Sequence, residues 1–264
     1  MSMRILGRTQ PVPDVPLDEC LERFAACGFD GVEICLEHPG LAPGTLTEAR
    51  AKEITSRLDG LGLRERSLSY HADYIHSDDR LREVLDAIPL TPHFGTDVFV
   101  FGGGGRQGDD DEWETMIERT GEIARAAAAA GVRAAKEFEP GFVVASTEEI
   151  LRVFVAVGND ALCANLDLGH AFLCDPDPFA AIASLRDKIA HCHVENMAKG
   201  VHRHLPPQEG DMDLAEYIAA LHAVGFDGPL ALDLYGVDYL GISAEAVRYL
   251  RACIRSATTD ARSI

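Results

Sequence analysis

Short runs of apolar and β-branched residues alternate along the chain with longer segments whose apolar positions recur every three or four residues. From the N-terminus, Arg4-Ile5-Leu6 predicts a first strand and residues 17–27 a helix, with Asp14 or Asp18 near its start. Residues 32–35 read as a second strand, 46–61 as a helix, 63–70 as a third strand ending at His71, and 78–88 as a helix stopped by Pro89. Residues 97–101 form a fourth strand, halted by the glycines at 102–105. The segment 111–130 is the strongest helix signal, because its alanine run has the highest helix propensity and Gly131 suits a C-terminal stop. A fifth strand over 132–138 precedes a helix over 146–157, capped by Ser146 or Thr147 with Glu148 or Glu149 behind it. A strand over 162–167, a helix near 178–185, a strand over 189–195 and a long loop come next. A helix over 214–224, a last strand over 229–234 and a closing helix over 243–255 complete the pattern.

Strict alternation of strand and helix at this length predicts an α/β protein with a parallel sheet closed as a (β/α)8 TIM barrel. An open doubly wound sheet is the competing architecture, but no Gly-x-Gly-x-x-Gly follows the first strand. Gly28-Phe29-Asp30-Gly31 and Gly225-Phe226-Asp227-Gly228 both bridge a helix to a strand, as a repeated unit would. No linker or change of composition divides the chain, so residues 1–264 read as a single domain.

Net charge narrows the partners. At −19 the chain is a poor match for nucleic acid or an anionic membrane, which need clustered Lys and Arg. The seven cysteines are scattered and include no Cys-x-x-Cys, so neither a disulfide framework nor a thiolate zinc site is expected. Met1 to Pro13 lacks a signal-peptide pattern and no apolar run reaches membrane-span length, so the cytoplasm is the expected location.

The candidate chemistry lies at the strand ends. In 162–167, Cys163, Asn165 and Asp167 share one face by the two-residue period of a strand, and Gly169 is expected to turn the chain and deliver His170 beside Asp167. The same phase puts Arg133, Ala135 and Glu137 together on the fifth strand, with Glu139 just beyond. On the seventh it groups His191, His193 and Glu195, and on the eighth Ala231 and Asp233. Neighbouring strands thus end in Glu, Asp or His on the inferred inward face, where barrel enzymes carry their active groups. Carboxylates clustered this way are costly unless a divalent cation sits among them, and the mixed donors suit Mn, Co, Mg or Zn. Solvated strand-end residues are the bland alternative. Lys136 falls on the outward face, where it reads as a snorkelling side chain.

Taken in order, certain stretches resemble the xylose-isomerase-like sugar isomerase and epimerase superfamily, which also contains the endonuclease IV type enzymes. They are Glu137-Phe138-Glu139-Pro140-Gly141, Asn165-Leu166-Asp167-Leu168-Gly169-His170, His191-Cys192-His193-Val194-Glu195-Asn196, and His202-Arg203-His204-Leu205-Pro206-Pro207 with Glu209-Gly210-Asp211. Gly225-Phe226-Asp227-Gly228-Pro229, leading to Asp233, completes the set. The resemblance implies that Glu137, Asp167, His193 and Asp233 are the protein ligands of one divalent metal. It implies that His71 and His170 touch substrate or hold a second metal. His202 and His204 match a pair that binds further zinc in the endonuclease branch. With Arg203 between them they also suit contact with an anionic substrate. Glu33 matches a recurrent acidic position, expected to hold a sugar hydroxyl, to orient a neighbour or to form a buried ion pair. Two departures stand out: the eighth-strand ligand, usually Glu in the epimerases, is Asp233, and Phe101-Gly102 replaces a zinc-binding His of the endonuclease branch. The glycines at 102–105 read as a flexible loop, with a phosphate cradle as the alternative.

The first functional expectation is an isomerase or epimerase acting on a ketose or keto-polyol sugar, free or phosphorylated, with Glu137 and Asp233 moving a proton next to a metal-bound carbonyl. The second is a dehydratase or β-eliminating lyase on keto-inositols or oxidised glycosides. An endonuclease-type phosphodiesterase and a non-catalytic sugar-binding barrel rank below both. A small-molecule substrate and a homo-oligomeric state are the expected partners.

Overall fold

The computed structural model describes residues 3–260, so Met1 and Ser2 of the N-terminal stretch read above lie outside it. Strand and helix alternate through β1 (Arg4–Arg8), α1 (Leu17–Cys27), β2 (Gly31–Cys35), α2 (Glu48–Leu61), β3 (Glu65–His71), α3 (Asp78–Ala87), β4 (Val98–Gly102) and α4 (Glu112–Ala130). The chain continues through β5 (Arg133–Lys136), α5 (Thr147–Val157), β6 (Leu162–Asp167), α6 (Leu168–Cys174), α7 (Pro178–Leu185) and β7 (Ile189–Val194). It ends with β8 (Asn196–Ala198), β9 (Val201–Leu205), α8 (Leu214–Ala223), β10 (Pro229–Leu232) and α9 (Tyr239–Asp260). The barrel closes in the order β1-β10-β7-β6-β5-β4-β3-β2, with every pairing parallel. This is the expected TIM barrel.

Local chemistry sets the helix ends. The hydroxyls of Thr47, Ser77 and Ser146 accept hydrogen bonds from the backbone N–H three residues on, capping α2, α3 and α5. Several predicted elements move. β1 runs two residues further than expected, to Arg8, whereas β5, β7 and β10 stop before Glu137, Glu195 and Asp233. Those three residues therefore stand just past the strand ends. A 3-10 stretch, Ile88–Phe94, continues from α3. α9 starts at Tyr239, ahead of the predicted closing helix.

Two corrections bear on the site. Gly169 does not turn the chain: α6 begins at Leu168, and Asp167 caps it by accepting a bond from the His170 N–H at 2.7 Å. The long loop after β7 is an antiparallel hairpin, β8 paired with β9. Its base is knotted by Asn196, whose amide donates to the carbonyls of Pro207 and Met212 and accepts from the Met212 N–H.

Most of the apolar core lies between strands and helices and includes Phe24, Phe94, Phe99 and Phe101. A separate small cluster, Val98, Val100, Ala135, Cys163 and Ala190, fills the barrel interior near the strand starts. Lys136 does not snorkel. It is 1% exposed on the outer side, donates to the Tyr74 hydroxyl at 2.8 Å and sits over the Tyr74 and Phe101 rings. Gly102, Gly103 and Gly104 are packed, whereas Gly105 is exposed. A side chain at Gly103 would place Cβ 2.2 Å from the Ala72 carbonyl oxygen, and Gly105 pairs with Phe142.

Candidate active site

Above the small apolar cluster the inner wall turns polar. Register sets Asn165 beside His191 and Asp167 beside His193 on β6 and β7, and Arg8 beside Glu33 on β1 and β2. Glu137 and Asp233 carry on the ladder past the strand ends, donating backbone N–H bonds to Phe101 and Val194. Their side chains thereby keep the inward direction.

The four expected ligands converge. Nδ1 of His193 lies 3.2 Å from Oε2 of Glu137, 3.6 Å from Oδ2 of Asp233 and 3.8 Å from Oδ2 of Asp167. The opposite ring nitrogen, Nε2, donates to Glu33 at 3.0 Å. Asn165 donates to Oε2 of Glu137 at 2.7 Å and accepts from His191 at 2.8 Å. Oδ2 of Asp167 is buried without a hydrogen-bond partner, aimed at the point where the other donors meet. A buried orphan carboxylate oxygen is expensive, and its position fits a cation bound by Glu137, Asp167, Asp233 and His193.

Electrostatics agree with that fit. Burial pushes the Glu137 carboxyl up, but the imidazoles of His193 and His71 outweigh it and hold it well below the usual carboxylate range. Asp233 is likewise lowered, burial being overcome by Arg8 and then His193. Burial and Arg8 both lower His193, yet Glu33 and Glu137 raise it to about 10. Without an ion, the charges of Glu137 and Asp233 are balanced by a proton held on His193. A divalent cation supplies the same compensation. Glu139, further out, is pushed to about 8 by burial and then by the charge of Glu137.

Glu137 and Asp233 line a cavity of about 540 Å³, with Asp167 and His193 fully buried behind them; Arg8, Gln10, His71, Glu139, His170, His202, Arg203, His204, Tyr235 and Gly236 complete its lining. His71 places Nε2 3.0 Å from Glu137. His170 donates from Nδ1 to the Phe138 carbonyl, and its Nε2 is 3.1 Å from Nε2 of His202. His204 donates to the Asp233 carbonyl at 3.0 Å. His170, His202 and His204 form a second close group of donors above the first. Arg203, one residue out of phase with the two histidines on β9, is exposed at the cavity rim. Glu33 does not line the cavity: it is fully buried beneath it, with its oxygens engaged by Arg8 and His193. Of the alternatives weighed for Glu33, its position matches the buried ion pair with Arg8 and a contact with a neighbour, His193.

Sequence reasoning missed Arg8, Gln10 and Tyr235. Extending β1 by one strand period beyond Leu6 would have brought Arg8 onto the inner wall. It also missed the way Glu195 is used. Its Oε1 accepts from the Gly169 N–H at 2.7 Å, and a Cβ on Gly169 would lie 2.1 Å from that oxygen, so any larger residue there would push the Glu195 carboxylate away from this bond.

A family model described as xylose isomerase-like TIM barrel matches residues 21–253. A structure of L-ribulose 3-epimerase is 19% identical with a TM-score of 0.82, covering 99% of this chain and 97% of that chain. A probable 3-DHS dehydratase from Bacillus anthracis is 18% identical with a TM-score of 0.80, over 94% of this chain and 98% of that chain. A xylose isomerase-like TIM barrel protein from Mycobacterium smegmatis, in complex with magnesium, is 21% identical with a TM-score of 0.78, over 97% of both chains. At these identities the likeness is one of fold. The comparison with curated proteins finds no match. Among the described residues no helix is long and apolar enough to cross a membrane.

Proposed function

This chain belongs to the xylose isomerase-like TIM barrel family, and on that premise we propose that it is a divalent-metal-dependent isomerase or epimerase of a ketose or keto-polyol. The observation that carries the reading is the meeting of one carboxylate oxygen each from Glu137, Asp167 and Asp233 within 3.8 Å of His193 Nδ1, one of them an orphan, beside a cavity that Glu137 and Asp233 line. Mn, Co, Mg and Zn all suit this donor set. The neighbour solved with magnesium makes that ion the first to try.

When bound, such an ion polarises a carbonyl and acidifies the neighbouring carbon. The chain's own groups do the rest. Glu137 faces the cavity with its charge maintained by His71 and His193, which suits it to receive a proton. Asp233, on the opposite side of His193, is the partner for returning one. His170 and His204 anchor their Nδ1 protons on backbone carbonyls, which leaves Nε2 of His204 for a substrate oxygen, while Nε2 of His170 faces Nε2 of His202. The β8–β9 hairpin supplies His202 and His204 as part of the cavity wall and limits access of water.

A dehydratase or β-eliminating lyase is the second reading, favoured by one feature. Arg8 donates to Oδ1 of Asp233, whereas Glu137 is met by His71 and His193, so the two carboxylates stand in unlike surroundings. An elimination needs one strong base and a separate acid; an epimerisation uses two bases of comparable strength. Incubation of the magnesium- or manganese-loaded protein with ketopentoses, ketohexoses, 3-keto-glucosides and keto-inositols in deuterium oxide separates these outcomes. Deuterium at a carbon next to the carbonyl, lost with Glu137→Gln, supports the first reading. An unsaturated ultraviolet-absorbing product supports the second. No exchange and no elimination with any of these sugars, on a protein shown to hold its metal, overturns both.

A further inference from the structure

Arg8 is a guanidinium built into the inner wall of an acidic site, and it is 1% exposed. Its location follows from register: Arg8 pairs laterally with Glu33, and Leu6 with Ala231, so two residues further on Arg8 and Asp233 come side by side. Every arm of the group is used. Nε donates to Oε1 of Glu33 at 2.9 Å, Nη1 to Oδ1 of Asp233 and to the Tyr235 hydroxyl, and Nη2 to Oε1 of Gln10 at 2.9 Å. The backbone N–H donates to the Tyr239 hydroxyl, which donates in turn to the Leu232 carbonyl. The other Glu33 oxygen accepts from Nε2 of His193. One planar fork therefore reaches two of the four ligand residues from behind, Asp233 directly and His193 through Glu33.

We propose that Arg8 is the positioning residue of the metal centre: it withholds Oδ1 of Asp233, so that only Oδ2 faces the ion. Through Glu33 it also fixes His193 in the Nε2–H tautomer with Nδ1 forward. The inference rests on reading Glu137, Asp167, His193 and Asp233 as ligands. A partner that fixes a metal-bound histidine's second nitrogen sets its tautomer and ring plane, and loss of such partners commonly weakens metal binding by about 10–100-fold. Restricting a carboxylate to one oxygen also favours small octahedral cations over calcium, whose larger shell accepts two oxygens from one carboxylate. The shorter Asp233 and the guanidinium behind it thus act together to select the ion. Lysine cannot replace this arginine, because a point charge lacks the fork that spans both acids.

The test is calorimetric titration of the metal-free protein with manganese, magnesium and calcium, without substrate. The variants are Asp167→Asn, Glu33→Gln, Arg8→Lys and the pair Arg8→Met with Glu33→Gln. The pair removes both buried charges together, so that neither is left alone. Melting temperatures check folding, and nitrogen-15 spectra of the magnesium-loaded protein report the His193 tautomer. The expected result is manganese binding that Asp167→Asn abolishes and that the double variant weakens by about 10–100-fold. The preference for manganese over calcium narrows as well, Arg8→Lys does not restore it, and Glu33→Gln gives mixed His193 tautomers. Should the double variant not fold, Arg8→Lys and Glu33→Gln carry the same test. Manganese affinity and selectivity within about twofold of the parent in the folded Arg8 variants, with Asp167→Asn still abolishing binding, would assign Arg8 a purely structural part. Charge alone restoring affinity in Arg8→Lys would overturn the positioning role in the same way. Absence of metal binding by the parent would instead sink the reading of the ligands themselves, and this inference with it.

Discussion

On the outer wall of β4, Phe99 and Phe101 are fully buried against helices; on the inner wall of β6 and β7 the fully buried residues are Asn165, Asp167, His191 and His193. Both walls exclude water, and both are made by strands of one barrel. The outer wall fills its space with side chains that need no partner. The inner wall fills it with groups that each demand one, and among them Oδ2 of Asp167 and Oε2 of Glu195 have none. Burial on the outer wall therefore reads as stability. On the inner wall it reads as stored demand for a ligand.

Asp167→Asn should show the largest effect and the sharpest separation of the walls. It is expected to abolish stoichiometric metal and turnover, while the melting temperature of the metal-free protein stays level or rises, since one of several crowded carboxylates is gone. Elemental analysis and thermal denaturation, run on the same sample, check both halves. Phe99→Ala is the opposite case: about 3–5 kcal/mol of stability lost in chemical denaturation, from the transfer term and the cavity left, with unchanged metal stoichiometry in the folded fraction. A metal site damaged by Phe99→Ala would show that the walls are coupled.

Lys136 is the exception that probes the comparison, a charge on the apolar side. Lys136→Met should leave stability within about 1 kcal/mol of the parent or raise it, because Tyr74 keeps its bond to Thr120. A drop of more than about 2 kcal/mol in the same denaturation assay would make that ammonium a structural tie between β5 and the helices.

The smallest effect concerns pH. Burial pushes the Cys20 thiol on α1 up to about 12 from an ordinary 9.0. A group with a raised folded pKa stabilises fully below its unfolded pKa, and the contribution fades as pH rises from about 9 toward 12. Cys20→Ala should flatten that part of the alkaline stability curve, and the native thiol should resist alkylation at pH 8. Rapid alkylation of the folded protein at that pH would contradict the burial of this face.

These contrasts also explain what the sequence made legible. The barrel followed from alternation, which survives errors at individual boundaries. A period of two put Glu137, Asp167, His193 and Asp233 on one inward face together with Asn165, His191 and Glu195, and it was the resemblance that singled out those four. Arg8 was hidden by ending β1 at Leu6, one strand period too early. The hairpin was hidden because His202-Arg203-His204 is polar on both faces, so its alternation carries no apolar signal. The ion pair of Glu33 and the bond from Glu195 to Gly169 join residues 25 and 26 positions apart, and no local pattern encodes such pairings.

The knot at Asn196 has a consequence for how such a protein can change over generations. Asn196 bonds to both Pro207 and Met212, and the Asp211 N–H donates to the Met197 carbonyl at 2.9 Å, so the hairpin leaves and rejoins the barrel at nearly the same place. A segment closed at its base in this way can be lengthened, shortened or exchanged at its Lys199-Gly200 tip at little entropic cost. The side chains it hangs over the cavity can diversify while Glu137, Asp167, His193 and Asp233 stay put. What the protein admits and what it does to it are thus written in separable pieces of chain, open to independent inheritance or to grafting by design.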